Sequence, residues 1–114
     1  MTQDETDRLF FALADATRRD IVARVLVEGL SVSTLSASYA MSFAAVQKHV
    51  AVLERAHLVV KQKNGREQIV HADMEALRRA TALLEHFEHL WRGRVDRMDE
   101  LLAGDESRMP TTTD

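Results

Sequence analysis

The sequence lacks cysteine and contains only one proline and four glycines among its 114 residues. Without cysteine the chain can form no disulfide, no thiolate metal site and no cysteine nucleophile. It also lacks an apolar run near the ~20 residues of a membrane-spanning helix, so a membrane span is excluded. The acidic, polar N-terminus, residues 1–8, has neither the basic start nor the apolar stretch of a secretory signal. We therefore expect a single cytoplasmic domain.

Motifs of catalysis are missing as well. The sequence contains no glycine-rich phosphate loop and no nucleophile elbow, and its five histidines form no recognisable motif with serines or acids. We therefore predict that the protein is not an enzyme and assign it no cofactor.

The charges are unevenly distributed. Fifteen basic and eighteen acidic residues give a net charge of −3. The segment 43–68 nevertheless contains five basic and two acidic residues, a net charge of +3, which leaves −6 for the remainder. A basic segment on an acidic small domain is typical of a local surface that contacts phosphates.

Helical periodicity and capping residues predict four helices in the first half of the chain. The first ends near residue 14, and the others span 16–28, 34–39 and 43–56. Their expected N-caps are Asp4, Asp15, Ser33 and Ser42. His57 would then take the left-handed conformation that ends the fourth helix, because histidine is among the few non-glycine residues enriched there.

A hairpin is predicted next. Asn64-Gly65 is the strongest short hairpin signal, since both central residues of such a turn need positive φ. Two strands, over 58–63 and 66–71, flank this dipeptide.

A long last helix, capped by Asp73, is predicted to reach about residue 103, so that the domain covers 1–103 and the polar tail 104–114 is disordered. Apolar residues recur every seven positions along this helix and form a stripe wider than one small domain needs. Together with the first helix, the stripe should pack against the same elements of a second copy. The predicted dimer interface consists of Leu9, Phe10, Leu84, Phe87, Trp91 and Met98.

Two short helices joined by a tight turn and followed by a basic hairpin are typical of a winged helix-turn-helix. The predicted fold is mainly α with a small β component, in the order α-α-α-α-β-β-α. The fourth helix packs inward through Val46, Val50 and Leu53, which leaves its polar face for the major groove, while the wing 58–71 would reach flanking backbone or the minor groove. The predicted DNA-binding residues are Ser42, Phe43, Ala44, Gln47, Lys48, Lys61, Lys63 and Arg66.

Several blocks of the chain resemble the ArsR family of bacterial transcriptional regulators. They are FALADATRRDI at 11–21, MSFAAVQKHV at 41–50 and LERAHLV at 53–59, with Asn64-Gly65-Arg66 after them. The resemblance covers roughly 8–102 and implies a winged-helix homodimer that binds a near-palindromic operator in double-stranded DNA and usually represses. It places DNA contacts on Ser42, Phe43, Ala44, Gln47 and Lys48 and backbone contacts on the wing. One departure is His57, where the family normally has glycine.

The same resemblance bears on metal sensing. Arsenic- and cadmium-responsive members carry cysteine-valine-cysteine where this chain has Ser31-Val32-Ser33, so sensing by that route is excluded. Residues at the spacing of the zinc-type site are Asp73, Glu75, His86 and His89, with glutamate in place of the first histidine. Such a histidine pair can chelate a metal, but Asp73 also serves as a helix cap and the histidines can simply be solvated. No metal is assigned, and the inducer stays unidentified.

The alternative to a DNA-binding regulator is a winged-helix protein-interaction module without specific DNA binding. The basic wing argues against this alternative. Salt dependence separates the two, because binding through phosphate contacts weakens steeply between ~50 and ~200 mM salt and apolar partner binding does not.

Overall fold

A computed structural model describes residues 2–107 of the chain, with side chains through residue 104. The elements are α1 (Gln3–Leu13), α2 (Ala16–Val27), β1 (Leu30–Ser31), α3 (Val32–Ala37), α4 (Phe43–Arg55), β2 (Val59–Asn64), β3 (Glu67–Ala72) and α5 (Met74–Ser107). The predicted class, mainly helical with a small antiparallel sheet and a long last helix, is confirmed. None of the described helices is long and apolar enough to cross a membrane.

Two of the four predicted helix starts are correct. The Asp15 side chain accepts the Arg18 N–H at 2.9 Å, and the Ser42 hydroxyl accepts the Ala45 N–H at 3.1 Å. Each cap satisfies one N–H group that the first turn of a helix leaves unpaired. Capping chemistry therefore locates both α2 and α4 from sequence.

The other two predicted starts are wrong. The N-cap of α1 is Thr2 and not Asp4, because the side chains of Thr2 and Glu5 each accept the backbone N–H of the other residue in a capping box. Helix α3 begins after Ser31 and not after Ser33, since the Ser31 hydroxyl accepts the Thr34 N–H at 3.0 Å. In both places several capping residues stand close together in the sequence, and tertiary packing selects between them.

The sheet has three antiparallel strands in the order β1-β3-β2. Leu30 pairs with Val70 and Ser31 with Ile69, so the short strand β1 ties the end of α2 to β3. Strand β1 is absent from the prediction because two residues carry no detectable periodicity.

The hairpin turn lies one residue later than predicted. Asn64 is paired with Glu67, so the two central residues are Gly65 and Arg66. Gly65 has φ 65°, whereas neither Asn64 nor Arg66 has positive φ. Positive φ at the first central residue alone is the pattern of a type II′ turn, which requires glycine only there.

The chain divides into two compact units, 1–80 and 81–114. The second unit, in its described part, is a continuation of α5, which passes through Gly93 without a break. Helix α5 continues to Ser107, four residues beyond the predicted end of the domain at 103. The rest of the predicted disordered tail, 108–114, lies outside the described residues.

The first unit is built on one hydrophobic core. Its largest fully buried side chains are Leu9, Ile21, Leu35, Val46, Val50, Leu53, Leu58, Val59 and Val70. The assignment of Leu9 to the dimer interface is wrong, because this side chain is 1% exposed and fills the core of its own chain. The helical period of α1 places Leu9 and Phe10 on neighbouring faces, and only Phe10 remains accessible.

Arg18 is a buried charged residue where α1, α2 and α4 meet. Its Nε donates to the Ala12 carbonyl at 2.8 Å and its Nη2 to the Phe11 carbonyl at 2.9 Å, near the end of α1, where a helix leaves carbonyls unpaired. Its Nη1 lies 3.3 Å from His49 Nδ1 on α4. Because a guanidinium can only donate, His49 Nδ1 is the acceptor. One side chain therefore links all three helices.

The left-handed conformation predicted for His57 is confirmed, with φ 60°. The N–H groups of His57 and Leu58 reach back to the carbonyls of Glu54 and Leu53, both at 3.0 Å, which closes the end of α4. This residue carries the strain that glycine would avoid.

Replacing His57 with glycine should therefore stabilise the fold. We expect His57→Gly to raise the free energy of unfolding by about 0.5–1 kcal/mol, the left-handed penalty less the extra entropy of glycine in the unfolded chain. Urea denaturation followed by circular dichroism measures the change. The matched variant His57→Ala keeps the strain and should show no gain. Equal stability of the glycine variant and the parent would mean that the left-handed conformation of His57 costs nothing.

Candidate nucleic-acid interface

Helix α4 has one buried and one exposed face. Val46, Val50 and Leu53 are buried in the core. Phe43, Ala44, Gln47 and Lys48, all predicted to contact DNA, are exposed. Because the buried residues fix the rotation of the helix, the polar side chains on its N-terminal half point away from the protein.

The start of α4 is suited to an anion. The Ser42 hydroxyl accepts the Ala45 N–H, which leaves the N–H groups of Phe43 and Ala44 without an acceptor inside the helix. Free N–H groups at a helix start, together with the helix dipole, bind phosphate oxygens. Ser42 is exposed, so its hydroxyl proton can be donated to the same phosphate.

A groove of about 210 Å³ lies between α4 and the hairpin of β2 and β3, the wing. Phe43 and Gln47 from α4 line it together with Lys61 and Arg66 from the wing. The structure thus brings residues from both halves of the predicted DNA-binding set to one surface. Residues near each other in this groove come from distant parts of the chain.

Three polar residues of the groove are absent from the predicted set. They are Ser33 on α3 and the acidic Glu67 and the neutral Gln68 on β3. Alternation along the predicted strand 66–71 indicates Gln68, because side chains two positions apart lie on the same side of a strand and Arg66 is one of the predicted DNA-binding residues. No local signal points to Ser33.

The basic residues of this surface differ in whether an acidic side chain lies close enough to offset their positive charge. Lys48, Lys63 and Arg66 are exposed and have no acidic partner within 4.0 Å among the described residues. Lys61, in contrast, lies 3.4 Å from Glu54 Oε1 on α4. Glu54 therefore reduces the positive potential at one point of the groove, an interaction that the sequence alone does not reveal.

The residues considered for a metal site have other contacts. Asp73 accepts the Glu75 N–H at 3.0 Å, as expected of a helix cap, and Glu75 lies 3.3 Å from Arg79 Nε. His86 and His89 are exposed on α5, and His86 lies beside the Phe87 ring. Within 2–104, no three histidine, aspartate or glutamate side chains are grouped so that they could hold a metal ion.

The predicted dimer residues other than Leu9 are accessible. Phe10 on α1 is exposed, and the exposed fractions of Leu84, Phe87, Trp91 and Met98 in the second unit lie between 52% and 59%. Leu90, Leu101 and Leu102, which belong to the predicted apolar stripe of α5, are also exposed in the second unit. The described part of the second unit therefore presents a large apolar surface, more than scattered single residues would give.

Comparison with known proteins identifies relatives of this chain, although no family model matches it. The HTH-type transcriptional regulator Rv2034 of Mycobacterium tuberculosis is 35% identical over 90 residues, which cover 79% of this chain and 81% of the relative. A relative of this identity and coverage shares both fold and family.

Solved structures agree with this relationship. An ArsR-like transcriptional regulator from Rhodococcus sp. RHA1 is 28% identical, with a TM-score of 0.76 over 86% of this chain and 92% of the other. A homodimeric winged helix-turn-helix DNA-binding domain from Mycobacterium bovis has a TM-score of 0.62 over 75% of this chain and 80% of its own. That domain is 21% identical, so its likeness concerns the fold alone.

The Lys61–Glu54 pair generates a prediction. Removing the carboxylate in Glu54→Gln should tighten binding to double-stranded DNA about threefold and steepen the salt slope by ~0.9, because Lys61 becomes free to contact a phosphate. Fluorescence anisotropy across a salt series measures both quantities. Glu28→Gln removes an equal charge from an exposed residue at the end of α2, outside the groove, and serves as control. Equal gains in the two variants would show that only net charge matters.

Proposed function

The chain belongs to the ArsR family of winged helix-turn-helix transcriptional regulators, and from this premise we propose that it is a homodimeric repressor that binds a near-palindromic operator through α4 and the wing. The observation that carries the proposal is the groove in which Phe43 and Gln47 of α4 lie beside Lys61 and Arg66 of the wing. A surface that joins an exposed recognition helix to a basic hairpin matches the major groove and its flanking phosphates.

The side chains of α4 divide into two roles in this proposal. Gln47 pairs bidentately with adenine, Lys48 contacts guanine or a phosphate, and the small Ala44 permits close approach to a thymine methyl. Ser42 and the free N–H groups at the start of α4 hold a phosphate. Lys63 and Arg66 contact the backbone beside the site, which sets position without reading sequence.

The exposed apolar face of α5 supports the homodimer. Leu84, Phe87, Trp91 and Met98 would pack against the same residues of a second copy, and the exposed Phe10 of α1 would add to the interface. The M. bovis domain with the same fold is homodimeric. Two-fold pairing places two recognition helices about one DNA turn apart, ~34 Å, which matches an operator with two inverted half-sites.

Repression is the mode of regulation that requires the fewest assumptions beyond DNA binding by the dimer. A dimer seated on an operator within a promoter blocks the polymerase by occupancy alone, and the resemblance to the family implies the same mode of action. Release of the operator would then follow from a signal that changes the geometry or stability of the dimer.

Selection of operators from a random DNA pool by the purified protein tests the proposal. The protein should enrich a two-fold-symmetric sequence. The selection is repeated with zinc and with chelator, and a dependence on zinc would indicate that Asp73, Glu75, His86 and His89 form a site between subunits. If a stable dimer enriches no sequence under any condition, the protein is an interaction module and not an operator-binding regulator.

Two substitutions on this surface should have different effects. We expect Gln47→Ala to weaken operator binding by about 1–3 kcal/mol and to relax the base preference, because a bidentate base contact is lost. Lys63→Ala should weaken operator and random DNA alike and reduce the salt slope by ~1. Anisotropy titrations on both DNAs distinguish them. Equal losses of Gln47→Ala on operator and random DNA would place the recognition surface elsewhere.

A charge in the α5 stripe should disrupt the dimer. Trp91→Glu would place a carboxylate in the apolar interface and is expected to weaken dimerisation by about 2–4 kcal/mol, with a corresponding loss of operator affinity. Sedimentation equilibrium measures the dissociation constant. Ala82→Glu introduces the same side chain at an exposed position on the opposite side of the helix and should leave the dimer intact. A dimer unaffected by Trp91→Glu would exclude this face.

A further inference from the structure

Tyr39 lies in the connection between α3 and α4, three residues before the Ser42 cap of α4. Its hydroxyl donates to Asp20 Oδ2 on α2 at 2.5 Å. The same oxygen accepts Arg24 Nε at 2.8 Å, and the Arg24 guanidinium lies 5.5 Å from the centre of the Tyr39 ring. Each of these side chains thus contacts the other two. We call the three residues the turn clamp.

The protonation states of the turn clamp are fixed near neutral pH. Burial, followed by the hydrogen bond to Asp20, raises the pKa of Tyr39 to about 12 from its ordinary value of 10.0. Hydrogen bonds from Arg24 and Tyr39 hold the pKa of Asp20 below its ordinary value. A neutral phenol therefore faces an ionised carboxylate, and such charge-assisted hydrogen bonds are short and strong.

The turn clamp is the polar link between this connection and another helix. The other described hydrogen bonds of residues 38–42 stay local: Ser38 and Tyr39 bond back to α3, and Ser42 bonds forward into α4. Tyr39 and Met41 also pack against the core, but apolar contacts tolerate small displacements. A hydrogen bond of fixed direction does not.

The place where α4 begins follows from the position of this connection. Val46 at the end of the first turn of α4, and Val50 and Leu53 further along, are buried in the core. Phe43 and Ala44, which precede them, are exposed, so the position of these first residues also depends on the connection that leads into them. Small shifts there move Gln47 relative to a base edge, where hydrogen bonds allow little error.

We propose that the turn clamp positions the first turn of α4 for base-specific binding, with Tyr39 as a positioning residue that itself contacts no DNA. The inference rests on the operator binding proposed above. Base contacts need α4 placed to within a fraction of a hydrogen-bond length, whereas contacts of flexible lysines with phosphates do not. Loss of the turn clamp should therefore reduce affinity for the operator more than affinity for random DNA.

The first measurement tests the turn clamp without DNA. Tyr39 is the only tyrosine of the chain, so the ultraviolet absorbance of tyrosinate reports on it alone. In the parent protein we expect little tyrosinate at pH about 10.5, and in Asp20→Asn we expect clearly more at the same pH, because the charge and hydrogen bond of Asp20 no longer raise the pKa of Tyr39 while its burial still does. Circular dichroism at each pH confirms that the chain is folded. Identical titration of the two proteins would overturn the turn clamp.

The second measurement compares operator and random DNA. Tyr39→Phe keeps the ring over Arg24 and removes only the hydroxyl. We expect about a fivefold loss of operator affinity, because the operator must then impose the placement of α4 that the hydrogen bond had supplied before binding, at a cost comparable with that bond, while random-DNA affinity and salt slope stay unchanged. Asp20→Asn should lose specificity similarly, and the double variant should be no worse than the more affected single variant. Glu28→Gln, an exposed carboxylate on the end of the same helix, controls for net charge.

The outcomes separate this proposal from the one on which it rests. Selection of an operator by the parent, with unchanged operator affinity in Tyr39→Phe, overturns the positioning role and leaves operator binding intact. Equal losses on operator and random DNA, accompanied by lower thermal stability, reduce the turn clamp to a purely stabilising contact and also overturn it. Failure of the parent itself to enrich any operator refutes both proposals.

Discussion

The link that the buried Arg18 guanidinium makes between α1, α2 and α4 is the constraint on which the first unit depends. Two carbonyls near the end of α1 and one ring nitrogen of α4 take their hydrogen bonds from this single side chain. A buried charge is tolerated only when its donors are satisfied, so the three helices have to meet in one geometry to satisfy it. Apolar packing alone would permit several rotations of α1 against α4. The directional contacts of Arg18 select one of them.

In the elements around Arg18, the residues that stabilise the fold and those available for binding lie on different faces. The inner face of α4 belongs to the core, and its outer face is polar and exposed. The wing repeats this division: Val59 and Val70 are buried at its base, while its tip carries Lys63 and Arg66 into solvent. Substitutions on the outer faces can therefore change what is bound without changing the fold.

Local chemistry explains which parts of this structure are predictable. Helices α2 and α4 can be located from caps and apolar spacing, because each has a single good cap beside a clear stripe. The start of α3 cannot be located in this way, since Ser31 and Ser33 are both suitable caps and only tertiary packing determines which of them is used. Strand β1, the turn at Gly65-Arg66 and the Lys61–Glu54 pair depend on residues brought together by the fold. The exposed face of α4 follows from the apolar spacing of the helix, whereas the place of Ser33 in the groove, which no local signal indicates, comes from the structure alone.

The order of the sheet has a consequence for the behaviour of the protein in solution. Among the described strands β2 pairs with β3 alone, so one side of β2 forms an edge of the sheet whose N–H and C=O groups could pair with another chain. This edge carries Lys61 and Lys63. Positive charges on an edge strand repel a second copy of the same edge, and a glycine turn ends the strand sharply. The lysines that face nucleic acid in the proposed complex thus also protect the free protein from edge-to-edge aggregation.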